Sequence, residues 1–141
     1  MNEVSIIGGT KKQRELVHQV VGWSIMKLMP KMRTLDITVA LSSMNGDNAY
    51  GYCMEEDTNR EFTVTIRKSL SIFELVGTII HEMIHVKQYA RRELRVAHGN
   101  TMWKKKSYNN VSYIDAPWEK EAYRLERKYA LECIEQLEFT L

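Results

Sequence analysis

Residues 78–90 read TIIHEMIHVKQYA, an apolar run broken by two histidines four positions apart with a glutamate directly after the first. On a helix, positions i and i+4 lie on one face about one turn apart, so His81 and His85 can reach a single metal ion. Zinc takes imidazole nitrogens at about 2.0–2.1 Å, and hydrolytic sites supply three protein ligands and leave the fourth position to water. Glu82 lies about 100° further round the helix. From there it can take a proton from such a water without ligating the ion, which is the mechanical content of H-E-x-x-H. The same letters also suit a core helix with two hydrogen-bonded histidines and no metal. Ile79, Ile80, Met83, Ile84 and Val86 anchor the segment in a core on either reading.

The helix has a legible start, because Ser71 and Glu74 form the Ser-x-x-Glu pattern of a capping box. The apolar period predicts a helix from there to about Arg92. Upstream, LDITVAL (35–41) alternates and is β-branched, Asn45-Gly46 marks a turn, and AYGYCMEE and EFTVTIRKS flank DTNR as a predicted hairpin over 50–67. Its second strand directs Phe62, Val64 and Ile66 to one face. EFTVTIR is a candidate edge strand, along which a peptide can be held by strand addition.

At the N-terminal end, VSII and Gly8-Gly9 precede a predicted helix over 11–29, whose apolar stripe runs from Leu16 to Met29 before Pro30 stops it. Residues 94–116 are polar and irregular, with TMWKKKSY expected as one strand or a small hairpin. Asp115 and Pro117 announce a last helix over roughly 116–138, with Ala122, Leu125, Tyr129, Cys133, Ile134 and Leu137 as its core stripe. The order of elements predicts a single α+β domain over 1–141, in which a small, mostly antiparallel sheet packs on the motif helix.

Composition narrows the function classes. With 20 basic and 18 acidic residues the net charge is +2, so no global pull toward nucleic acid or membrane is built in. The clusters ARRELR (90–95) and KKK (104–106) can touch a phosphate backbone, but they read more simply as solvated ends near a helix C-terminus. Cys53 and Cys133 form no C-x-x-C pair, which fits a reducing compartment. The sequence has neither the apolar core of a secretory signal nor a run of about eighteen apolar residues, so a cytoplasmic location without a membrane helix is expected.

A third ligand must come from elsewhere. Glu119 and Glu121 in DAPWEKEAY (115–123) point about 200° apart on a helix, so only one can face the ion. His98, beside Gly99, is the rival, whereas His18 is remote and reads as a surface or packing residue. Gln88, one turn beyond His85, can orient a ligand or line an edge, and Trp103, Tyr108 and Tyr123 are candidates for a cleft, where a tyrosine hydroxyl can steady an oxyanion.

The combination HEMIHVKQYA, TMWKKKSY and DAPWEKEAY resembles the small zincin-like metallopeptidases of the SprT-like and gluzincin kind, especially short phage- and bacteria-encoded forms. The resemblance spans about residues 35–130, with specific motifs only at 81–89 and 115–123. It implies a Zn2+-dependent hydrolysis of peptide bonds, with His81, His85 and Glu119 on the metal and Glu82 as general base. Lys105 departs from the pattern, which has glycine there. In the SprT-like group the third ligand is a His-Gly histidine on a helix, whereas the residues after His98-Gly99 look extended. From a different class, the same ion could instead stabilise a module that docks protein or nucleic acid without hydrolysis, a reading in which Glu82 has no use.

Overall fold

Capping boxes start the first two helices of the structure, a computed structural model that describes residues 1–137. Ser71 Oγ accepts from the Glu74 backbone N–H while Glu74 Oε1 accepts from that of Ser71. Thr10 and Gln13 form the same reciprocal pair at the first helix. Each box satisfies backbone donors that a helix start leaves orphaned.

The chain runs β1 (Glu3–Ile7), α1 (Lys11–Leu28), β2 (Asp36–Ser42), β3 (Gly51–Glu55), β4 (Glu61–Arg67), α2 (Ile72–Ala90), β5 (Leu94–Ala97), β6 (Asn100–Trp103), β7 (Lys106–Ser107), a 3-10 turn at Tyr113–Asp115, and α3 (Pro117–Leu137). The described residues form an α+β domain with three α-helices. The predicted end of the last helix at residue 138 lies outside the described residues. Among the described residues no helix is long and apolar enough to cross a membrane.

The sheet against the motif helix corrects one expectation. Its order is β1-β2-β4-β3, with β1 and β4 both parallel to β2 and only β3 antiparallel, so it is mixed rather than mostly antiparallel. The chain returns from β1 to β2 through α1, a crossover that makes neighbouring strands parallel. The alternation along β2 and β4 is no guide to strand direction. One face, bearing Ile37, Val39, Leu41, Phe62, Val64 and Ile66, is buried, while the intervening side chains of β2 and β4 are half-buried. A sheet covered on one side alternates whatever its strand direction.

A second correction follows from the order. EFTVTIR is β4 and lies inside the sheet; the open edge of the hairpin is β3. The polar stretch after α2 is also more ordered than expected, because β5, β6 and β7 form a three-stranded antiparallel sheet. Its turns sit at His98-Gly99 and Lys104-Lys105, all four with positive φ, the geometry of two-residue hairpins. At the β1–α1 turn, Gly8 (φ +82°) leaves no room for a Cβ against the Leu41 carbonyl.

The core lies between α1, α2, α3 and the buried face of the sheet. On α1, Val17, Val20, Val21, Ser24, Ile25 and Leu28 are buried as the period predicts. Helix α2 is buried almost all round, with Ile79, Ile80, Met83, Ile84 and Val86 fully enclosed. Each such aliphatic side chain contributes about 1.5–3 kcal/mol on burial. That anchorage also carries Thr78, His81, Glu82, His85, Lys87 and Gln88 into the interior, where polar groups need partners.

Candidate metal centre

The partners come from α3. Its first turn places Glu119, 8% exposed, against both histidines, each 7% exposed. His81 Nε2 is 3.1 Å and His85 Nε2 3.2 Å from the same carboxylate oxygen, Glu119 Oε1. The three side chains form a buried group that can hold a metal ion, with ligand atoms all within 4.8 Å of one another. Four ligands about 2.0–2.1 Å from a tetrahedral centre stand about 3.3–3.4 Å apart, so the two histidine-to-carboxylate separations are close to the edge of such a tetrahedron.

The outer hydrogen bonds decide what those atoms are. Gln88, fully buried, donates from Nε2 to the Trp118 carbonyl (2.9 Å) and to Glu121 Oε1 (3.1 Å). A carbonyl can only accept, so the Gln88 amide orientation is fixed and its Oε1 accepts from His85 Nδ1 at 2.7 Å. The Nδ1 of His81 lies 3.2 Å from the Glu126 carboxylate, also an acceptor. With protons on both Nδ1 atoms, the Nε2 lone pairs of the neutral rings face a carboxylate. Three acceptors then meet at one point, an arrangement that only a cation resolves. The donor set and its spacing fit a divalent metal.

Electrostatics agree. Burial lowers the His81 pKa, but the Glu119 and Glu126 carboxylates outweigh it and hold the imidazole at about 9. Burial raises Glu119, and its hydrogen bonds to His81 and His85 outweigh that and bring it to about 2. Metal-free, the group therefore gathers a proton where it would otherwise hold an ion.

Glu82, 6% exposed, borders the cavities on both sides of the histidines and accepts no hydrogen bond from any described residue. Burial raises its pKa above the ordinary carboxylate value against the pull of His85 and His81. A carboxylate in such a position suits proton transfer.

The structure sorts the remaining candidates. Glu121 faces away from the histidines, as the 200° offset requires, and binds Lys87 Nζ at 2.7 Å. His98 is exposed in the β5–β6 turn and belongs to no ligand cluster among the described residues; His18 is exposed on α1. Gln88 orients His85. Tyr123 packs edge-on against His81, ring centroids 4.7 Å apart, whereas Trp103 and Tyr108 pack against Trp118. Lys104 and Lys106 lie over the rings of Trp103 and Tyr108.

Two residues at the site were missed in the sequence. Glu126 lies two turns beyond Glu119 on the same face of α3, an i, i+7 spacing that was there to be read. Tyr113 borders both cavities beside Glu82 and shares a 3.1 Å hydroxyl contact with Tyr123; it comes from the 3-10 turn and follows no period. A larger cavity, about 490 Å³, lies between α1 and the start of α2, away from every ligating group named above.

Fold and site together define an α+β domain with a buried His-His-Glu group able to hold a metal ion. The chain matches no protein-family model, no curated protein and no solved structure.

Proposed function

We propose that this chain is a zinc-dependent peptidase of zincin-like type, with the ion on His81, His85 and Glu119 and with Glu82 as general base. The observation that carries the reading is the meeting of three acceptor atoms beside Glu82, a buried carboxylate with no hydrogen-bond partner among the described residues. Two imidazoles and one carboxylate are a donor set that would suit zinc. Zinc bound there supplies a Lewis acid that polarises a carbonyl and brings the pKa of water toward neutrality.

The chain's own residues do the rest. Glu82 removes a proton from the attacking water and passes it to the leaving amine. Burial raises its pKa above the ordinary carboxylate value, which makes it the better proton acceptor. The hydroxyl pair of Tyr113 and Tyr123 borders the same cavity and offers a donor to the oxygen that gains charge. Strand β3 has a free backbone edge, and Gly51 and Cys53 bring it alongside Glu82, so an extended polypeptide can add to the sheet there.

The test is a pair of variants assayed for zinc content and for peptide hydrolysis. Glu82→Gln retains about one zinc per chain and loses hydrolysis by at least about 100-fold; His81→Ala loses both. A Glu82→Gln protein that cleaves at the wild-type rate refutes the mechanism.

A further inference from the structure

The cavity beside Glu82, His81 and Tyr123 continues as a cleft along α2 toward its N-terminus, and the chemistry above leaves that extension unused. Its inner compartment, about 270 Å³, is bordered by Tyr50, Thr78, Glu82, Tyr123 and Glu126. An outer compartment, about 390 Å³, continues past Gly77 to Phe73 and Glu74. Gly77 keeps the floor low: the nearest atom to a Cβ placed there is Glu126 Oε2, 4.0 Å away. Glu126 thus has two faces. Its Oε1 meets His81 Nδ1, while its Oε2 is turned to the cleft and accepts no hydrogen bond from a described residue.

The walls are aromatic. Tyr50, Phe73 and Tyr123 are each between 43% and 55% exposed and line the cleft from both sides. Glu74 closes its far end, its carboxylate held by Ser71 and by the Tyr50 hydroxyl. Arg127 borders only the outer compartment, so the part next to His81 is anionic. Across Glu82 the opposite cavity is lined by Cys53, Tyr89, Leu94 and Trp118, and its one further carboxylate, Glu119, is committed to the histidines. The groove is therefore charged on one side of Glu82 only. Glu82 itself, buried and without a hydrogen-bond partner among the described residues, looks into both sides, an independent sign that the groove takes a ligand.

Aromatic walls ending at a carboxylate with one oxygen turned to the cleft are the chemistry that receives a long cationic side chain. Its methylene stem lies along the rings, and its head group meets the ring faces and the carboxylate. We propose that this cleft is the subsite for a lysine or arginine side chain of a polypeptide substrate, adjacent to the bond cleaved at Glu82. The proposal rests on the reading of the centre as a peptidase.

The experiment uses zinc-loaded protein and blocked hexapeptides that differ only in carrying lysine, arginine, norleucine or glutamate at one scanned position. Binding to Glu82→Gln is followed by tryptophan fluorescence or calorimetry, and cleavage is followed in the wild type. At one position next to the cleaved bond, lysine or arginine should bind and be cleaved about tenfold better than norleucine, with glutamate worst. Gly77→Lys places a resident cation in the cleft without touching the metal ligands. It should reduce the preference for lysine over norleucine to about onefold.

Equal binding of lysine and norleucine peptides, or a preference that survives in Gly77→Lys, overturns the proposal even if peptides are cleaved. If no peptide is cleaved but the binding preference and its loss in Gly77→Lys are both found, the hydrolase reading falls and the cleft stands as a cation-binding site. Neither cleavage nor selective binding removes both.

Discussion

His85 donates its Nδ1 proton to Gln88 Oε1 across 2.7 Å, one turn further along α2, and Gln88 is itself locked by the Trp118 carbonyl and Glu121. The pair sets which imidazole nitrogen is free. Gln88→Leu removes the acceptor and leaves the buried His85 N–H unpaired. Zinc affinity, measured by competition with a chelator, should fall about 10–100-fold while the far-ultraviolet dichroism is unchanged. An unchanged affinity would mean that Gln88 only fills space.

Glu119 and His98 can be separated as third ligand by one comparison. Glu119→Gln should lower zinc affinity by more than about 100-fold, since loss of a direct ligand exceeds loss of an outer contact. His98→Asn should leave affinity untouched and keep the turn, because asparagine tolerates the left-handed backbone that His98 adopts (φ 53°). The reverse pattern would show that the loop folds onto the site.

Metal binding should release a proton. At pH 7 metal-free His81 is protonated, because its carboxylate neighbours hold its pKa at about 9 despite burial. A cation on Nε2 must displace that proton, so calorimetric titrations in buffers of different ionisation enthalpy should report at least about one proton released at pH 7. The metal-free protein should also lose stability as pH rises. The folded pKa lies above the usual 6.5, so the contribution of His81 is complete below about pH 6.5 and disappears as pH passes through about 9. No proton release at pH 7 would contradict the charged imidazole.

Ile80 is fully enclosed on the face of α2 that carries no ligand. Ile80→Ala should cost about 2–5 kcal/mol in denaturant unfolding, and Ile80→Val about 0.5–1.5 kcal/mol. Zinc should shift both midpoints upward by the same mass-action amount as in the wild type. A loss below 1 kcal/mol for the alanine variant would place the helix outside the core.

Much of the site was legible because its geometry is local. The His81–His85 spacing, the capping box at Ser71 and the offset between Glu119 and Glu121 are properties of single helices, and each appears in the structure as the period requires. Gln88 was visible on the same grounds as a possible orienter of His85. Glu126 was equally local and was overlooked. Tyr113 was not readable, since a residue in an irregular turn reaches the site only through the path of the chain.

Strand direction was not legible either. The alternation in β2 and β4 reports that one face of the sheet is buried, and it is the same for parallel and antiparallel neighbours. Whether EFTVTIR is an edge or a central strand depends on where β2 lies, and no window of sequence contains that contact.

The sequence by itself determined the elements whose regularity is short-ranged: the motif helix, its start, its buried faces, and the two imidazoles that share one of them. Only the tertiary structure decided which distant carboxylate meets them, which strand offers a free edge, and which hydrogen bonds point the Nε2 atoms inward. The physical reason is range. Helical period and capping are fixed by atoms a few residues apart, whereas a ligand set closes across 34 to 38 residues of chain and exists only once α2 and α3 are packed together.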